Sequence, residues 1–144
     1  MRAAMVFLAM LLSSQLAAAD GSVVTVRNLA QPGAFAIDNR GDEAVDLATE
    51  VIVEREIDGR WTQANIRFLD LTESCAEPLP ACRQLAAGAS LTPLPWNGYT
   101  CSGQCQRSCR SNRYAGPGTF RIVVHRCDRK ERYLSSGFTM PPRQ

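Results

Sequence analysis

The sequence predicts an all-β fold, an antiparallel sandwich of short strands. Three observations carry that prediction. Short runs rich in Val, Ile, Thr and aromatic residues are punctuated by Gly, Pro and Asn-containing breaks at intervals near ten residues. No segment shows the sustained 3.6-residue period of an amphipathic helix beyond the first residues of the chain. All six cysteines lie in the second half of the chain, at 75, 82, 101, 105, 109 and 127, the even set expected of an exported disulfide framework.

The chain opens on a leader pattern. Arg2 precedes a ten-residue apolar core, Ala3 to Leu12, and Ser13-Ser14-Gln15 break it. Leu16-Ala17-Ala18-Ala19 place small residues where signal peptidase needs them, so residues 1–19 are expected to be removed and 20–144 to form one domain. The apolar run is shorter than the roughly twenty residues of a membrane-spanning helix. The expected location is therefore periplasmic or secreted, with no transmembrane segment once the leader is cleaved.

The strands follow in order. Val23-Val24-Thr25-Val26 is β-branched and compact, a good first strand. Gln31-Pro32-Gly33 turns the chain, and Ala34 to Asp38 alternates apolar with small or polar residues. Ala44 to Ile57 reads as one long strand. Its later part sets Val51, Val53 and Ile57 on one face and Glu50, Glu54 and Glu56 on the other, expected to be solvated, with Arg55 an exception on the apolar face. Asp58-Gly59 is the strongest hairpin signal, because a tight primed turn needs positive φ. The return strand starts at Trp61 and runs through Ile66 and Phe68. Residues 74–80 are a loop by composition, and Ser90 to Leu94 is a short strand placed at an edge by Pro93 and Pro95. Thr119 to Arg126 is the clearest later strand, and Phe138 lies in a last short one before Pro141-Pro142. Val51, Val53, Trp61, Phe120, Ile122 and Val124 are expected in the core.

Four of these pieces together carry a resemblance. They are Phe35-Ala36-Ile37-Asp38-Asn39 before a glycine turn, Glu54 to Trp61, Leu85 to Leu91 with Gly88, and Gly116-Pro117-Gly118-Thr119-Phe120 leading into Val124. The chain resembles the immunoglobulin-like domains of bacterial exported proteins, in which an aromatic after a Pro-Gly-Thr corner starts the penultimate strand; Phe120 holds that place. The resemblance spans about two-thirds of residues 20–144 and implies an immunoglobulin-like β-sandwich without implying an activity. The Cys101 to Cys109 insertion departs from the pattern.

That insertion belongs to the odd segment of the chain, Trp96 to Pro117, which is polar and follows neither the helical nor the strand period. Six cysteines allow fifteen pairings. Parity adds a constraint, since Cys101, Cys105 and Cys109 cannot all pair among themselves. If all six are oxidised, at least one bridge ties the segment to Cys75, Cys82 or Cys127. Trp96, Tyr99, Arg107, Arg110, Arg113 and Tyr114 give the 97–116 loop the aromatic and arginine content of an interface hot spot.

Charge is divided along the chain. Asp20 to Tyr99 holds six Arg against twelve acids, and Thr100 to Gln144 holds nine Arg and Lys against two, so the halves carry −6 and +7. Either the halves lie together and neutralise, or Arg107, Arg110, Arg113, Arg126, Arg129, Lys130 and Arg132 form a patch for a polyanion or an acidic protein. Tyr114 and Tyr133 are the only nearby aromatics for base stacking, which argues against nucleic acid as the partner.

Catalysis finds little to work with. His125 is the single histidine and falls opposite Phe120, Ile122 and Val124 by strand alternation. Oxidised cysteines leave no thiolate for a Cys-His pair, and neither a phosphate loop nor a zincin motif is present. The expectation is a non-enzymatic recognition or structural module without cofactor, binding a protein or envelope component through the 97–116 loop. Two alternatives stand beside it. The stiff loop suits an inhibitor of an extracellular hydrolase. Cys101, Cys105, Cys109, Cys127 and His125 would suit copper or zinc if the thiols stayed reduced.

Overall fold

The computed structural model describes residues 23–69, 71, 72, 75, 77–103, 105 and 111–143. The expected leader, 1–19, lies outside the described residues, as do Arg107, Cys109 and Arg110. Among the described residues the fold is all-β, with no helix.

A three-stranded sheet forms one part of the molecule. β1 (Val24–Asn28) pairs antiparallel with β2 (Phe35–Asn39), placing Val26 opposite Ile37, and β7 (Ser90–Leu91) adds to the other side of β2. The hydrophobic residues of β1 and β2 are buried and alternation is clear only on β1, because β2 is the central strand and is covered on both faces. The turn between β1 and β2 uses Gly33 at φ +80°, where a Cβ would stand 2.1 Å from the Trp96 carbonyl oxygen. Gly33 is therefore required twice, for its backbone angle and for the close approach of another chain segment.

The larger sheet has the order β10-β9-β4-β5-β8, with β11 also paired to β9. Its strands are β4 (Glu50–Ile57), β5 (Arg60–Leu69), β8 (Cys101–Gly103), β9 (Gly118–His125), β10 (Arg132–Leu134) and β11 (Phe138–Met140). The β4–β5 hairpin turns at Asp58, φ 51°, and Gly59, φ 74°, the two positive angles of a type I′ turn. All pairings in this sheet are antiparallel except β5 with β8.

The expected single strand from Ala44 to Ile57 is instead two. β3 (Val45–Ala48) leaves the main sheet and pairs with β6 (Cys82–Leu85) as a separate ribbon, and β4 begins after Thr49. Thr49 makes the break: its N–H donates to Ala81 O at 3.0 Å and its hydroxyl to Pro80 O at 2.6 Å. Side-chain hydrogen bonding by a buried threonine thus overrides a continuous β-branched run.

The three sheets share one core. Val24, Val26, Phe35 and Ile37 from the small sheet meet Val51, Val53, Ile66, Phe68, Phe120, Ile122 and Val124 from the large one, with Leu47 and Leu85 added by the ribbon. Phe35 and Phe68 touch edge-on at 6.0 Å between ring centroids, so the contact crosses from sheet to sheet. Trp61 departs from expectation. It is only half-buried and lies beneath the Arg121 guanidinium, 4.5 Å from its ring centroid, on the side of the sheet away from this core. A register shift between Ile52 and Glu54 marks a bulge in β4, and Ile57 at the hairpin end is 50% exposed.

Candidate functional site

The loop from Trp96 to Gly116 is built outward from a buried anchor. Trp96 is fully buried, with its ring edge-on to Phe120 at 4.9 Å and near Phe138 at 6.2 Å. Its backbone N–H donates to Gly33 O at 2.9 Å, and its indole Nε1 donates to Tyr99 O at 2.8 Å. The expectation that Trp96 contacts a partner is therefore corrected: a side chain without exposed surface holds the loop and cannot touch a ligand. The indole N–H explains the choice of tryptophan, since it satisfies a loop carbonyl while the ring fills the core.

Beyond Trp96 the chain returns on itself. Thr100 N–H donates to Arg113 O at 2.8 Å and Ala115 N–H to Gly98 O at 2.7 Å, which sets Tyr99 opposite Tyr114. The two rings meet edge-on at 5.6 Å and both are half-buried. Tyr114 donates its hydroxyl proton to Pro141 O, tying the ring to the C-terminal segment. Gly98, at φ +87°, sits so close that a Cβ there would stand 2.5 Å from Tyr114 Cε2. Arg113 is exposed, and its N–H donates to Thr100 Oγ1 at 3.0 Å. Arg143 completes the group, its guanidinium 5.8 Å from the Tyr99 ring centroid. The structure thus brings Tyr99, Arg113 and Tyr114 together and adds Arg143. No local pattern signals Arg143, because it reaches the loop from the far end of the chain.

Two disulfides fix the surroundings. Cys75 joins Cys105 across 30 residues, so a bridge does link the odd segment to the preceding loop. Cys82 joins Cys127 across 45 residues and ties the β3–β6 ribbon to the turn after β9. Cys101 is disulfide-bonded as well, and Cys109 lies outside the described residues. Loop closure of these lengths stabilises by about 3–4 kcal/mol each on the chain-entropy model. Five of the sulfurs are thereby unavailable as thiolate ligands, and among the described residues no three His, Cys, Asp or Glu side chains converge on a metal position.

Part of the divided charge meets between neighbouring strands, at Glu54 and Glu50. Glu54, buried on β4, accepts from Arg121 Nε at 2.7 Å and pairs with Arg132 of β10. Arg126 pairs with Asp128 at 3.2 Å and Glu131 at 2.9 Å, and Arg129 approaches Glu50 at 3.7 Å. The expected solvated face of Glu50, Glu54 and Glu56 is corrected at Glu54, which antiparallel pairing of β4 with β9 sets opposite Arg121. His125 lies on this outer side, opposite Arg132, with its Nδ1 buried and without a hydrogen-bond partner. Burial, and then the Arg129 and Arg132 charges, push its pKa below the ordinary histidine value.

At the opposite end, a cleft of about 400 Å³ opens between the turn after β2 and the turn after β9, lined by Asp42, Glu43, Asp46, Arg126, Glu131 and Tyr133 among others. Tyr133 donates to Glu131 at 3.0 Å, and burial together with this carboxylate pushes its phenol up to about 12. No family model matches the chain, and neither a curated protein nor a solved structure matches it at a significant level.

Proposed function

We propose that the protein is an exported, non-enzymatic recognition module on an immunoglobulin-like sandwich, with the stapled 97–116 loop as its working surface and a protein or envelope component as its partner. One observation carries the reading. The loop is held from beneath by Trp96 and from the side by Cys75–Cys105, while Tyr99, Tyr114 and Arg113 keep accessible surface. Rings already fixed in place, beside an arginine whose backbone is held, lose little freedom on binding, which is the physical advantage of such a loop.

The chemistry elsewhere supports a binding role over a catalytic one. The single histidine stands among Glu50, Glu54, Arg129 and Arg132, and the described cysteines are bonded as disulfides, so among the described residues no Cys-His pair is available. Export is supported by the leader pattern and by the disulfides, which persist in oxidising compartments.

The test is site-specific photo-crosslinking in the cell envelope, with the reactive group at position 113 and, as control, at position 60 on the β4–β5 hairpin. A discrete adduct from 113 and none from 60 is the expected result. Adducts only from 60, or equal adducts from both, would overturn the assignment of the loop as the working surface.

A further inference from the structure

We infer that the edge formed by residues 111–115 accepts an extended acidic peptide as an added β-strand; this deepens the loop reading above and rests on it. The segment pairs on one side only. The bonds from Thr100 N–H to Arg113 O and from Ala115 N–H to Gly98 O bracket Tyr114. In an antiparallel pair those two bonds turn the N–H and C=O of Tyr114 away from the partner strand. The regular pairing ends at Arg113, whose N–H donates to Thr100 Oγ1, while Asn112 Oδ1 accepts from Cys101 N–H at 3.2 Å. Among the described residues nothing pairs with those two groups of Tyr114. Within the described residues they are open backbone groups at the edge of a pairing, the feature to which an incoming strand adds.

The charge around this edge selects what adds. Arg67 N–H donates to Thr100 O at 3.0 Å, so β5, the residues before β8 and the 111–115 segment lie side by side. The backbones of Arg67 and Arg113 therefore lie on either side of Thr100, about 10 Å apart at two strand spacings. Arg67 is in register with Cys101 and so shares the Tyr99 face with Arg143, whereas Arg113, next to Tyr114, alternates onto the other face, so charge borders the edge from both sides. Neither makes an ion pair among the described residues, and Arg143 adds a third guanidinium over Tyr99 without a carboxylate partner. On β9, β10 and the turn between them, by contrast, Arg121, Arg126, Arg129 and Arg132 are all paired. The uncompensated positive charge of this region borders the open edge.

Both halves of the proposal are needed. An open edge alone would also pair with a second copy of the chain, but Arg113 would then face another arginine-flanked edge, and like charges oppose that contact. Positive charge alone would take any polyanion. A strand with acidic side chains answers the open edge through its backbone and the guanidinium groups through its carboxylates. Tyr99 and Tyr114 supply the flat, rigid surface beside it.

The experiment uses the full disulfide-bonded protein and short labelled synthetic peptides read by fluorescence anisotropy. The probes are a peptide alternating Glu and Thr, a matched peptide alternating Lys and Thr, and a Glu-Thr peptide N-methylated at alternate amides. Tighter binding of the plain acidic peptide, on the order of tenfold or more over either control, is expected. The double variant R113A/R143A should lose most of that advantage while keeping the native far-ultraviolet spectrum. Equal binding of the Glu and Lys peptides would overturn the charge selection. Equal binding of the methylated peptide, or stronger binding of a sulfated polysaccharide, would overturn strand addition. If an adduct still forms from position 113 while the acidic peptide fails to bind, this inference falls and the loop reading stands; adducts only from position 60 sink the loop reading itself.

Discussion

Glu54 is where strand periodicity and burial part company. Its position in the alternation places it away from Val51 and Val53, yet it is only 7% exposed because Arg121 and Arg132 fold over it. Arg121 is held on its other side by Trp61, so carboxylate, guanidinium and ring form one stack. Replacing Glu54 by Ala leaves Arg121, whose side chain is 18% exposed, without its counter-charge, and should cost about 2–3 kcal/mol in urea denaturation. Arg132→Ala should cost clearly less, because that side chain is 47% exposed. Equal losses would contradict the burial argument. His125 makes a second test on the same face, and as the single histidine it gives one resolved ring signal. Burial lowers its pKa, and Glu50 and Glu54 on β4 only partly oppose Arg129 and Arg132. The unfolded chain then binds a proton more readily than the folded one, so stability should fall as pH drops through the region below 6.5. An NMR titration midpoint at or above 6.5 would refute this, and His125→Gln should flatten that part of the stability profile.

At the scale of elements, what could be read depended on whether a local rule decided the outcome. The Asp58-Gly59 hairpin was legible because positive φ at two successive residues has few solutions in sequence, and the edge position of β7 because proline cannot donate to a ladder. The break at Thr49 was not legible, since it arises from hydrogen bonds to Pro80 and Ala81, the first of them 31 residues away. β6, β8 and β10 were missed for a related reason: each has three or four residues and exists through its partner strand. The β3–β6 ribbon shows what such a tertiary element depends on. It reaches the rest through Leu47, through Cys127 N–H donating to Asp46 O at 2.8 Å, and through Cys82–Cys127. Cys82 is exposed, whereas Cys105 of the other described bridge is buried. Graded reduction followed by alkylation and peptide mapping should therefore label Cys82 and Cys127 before Cys75 and Cys105. Hydrogen exchange should then rise over 45–48 and 82–85 while β4 and β9 stay protected. Labelling in the reverse order would show that residue burial does not govern access to these bonds.

Over the whole molecule, the segregation of acids and bases along the chain becomes pairing between strands. Glu50 and Glu54 of β4 lie against the bases of β9, of β10 and of the turn between them, so part of a division conspicuous in sequence is neutralised on that face. The candidate site was legible in composition, through its aromatic and arginine content, but not in role. Trp96 could be told from Tyr99 only once Gly33 and Phe120 were placed around it, and Arg143 only once the C-terminus was. A common core has a further consequence for how the molecule unfolds. Phe35 from the small sheet, Phe68 and Phe120 from the large one, and Trp96 from the loop belong to a single buried cluster. Sheets that share a core lose it together, so unfolding with disulfides intact should be one transition. Far-ultraviolet circular dichroism, which follows the sheets, and tryptophan fluorescence, to which buried Trp96 contributes, should give coincident midpoints in urea. Phe35→Ala should move both midpoints equally, by a loss of about 3–5 kcal/mol, because the cavity opens in the core common to both sheets. Separation of the two transitions in that variant, with the small sheet melting first, would mean that the sheets are stabilised independently and that the loop is anchored by the large sheet alone.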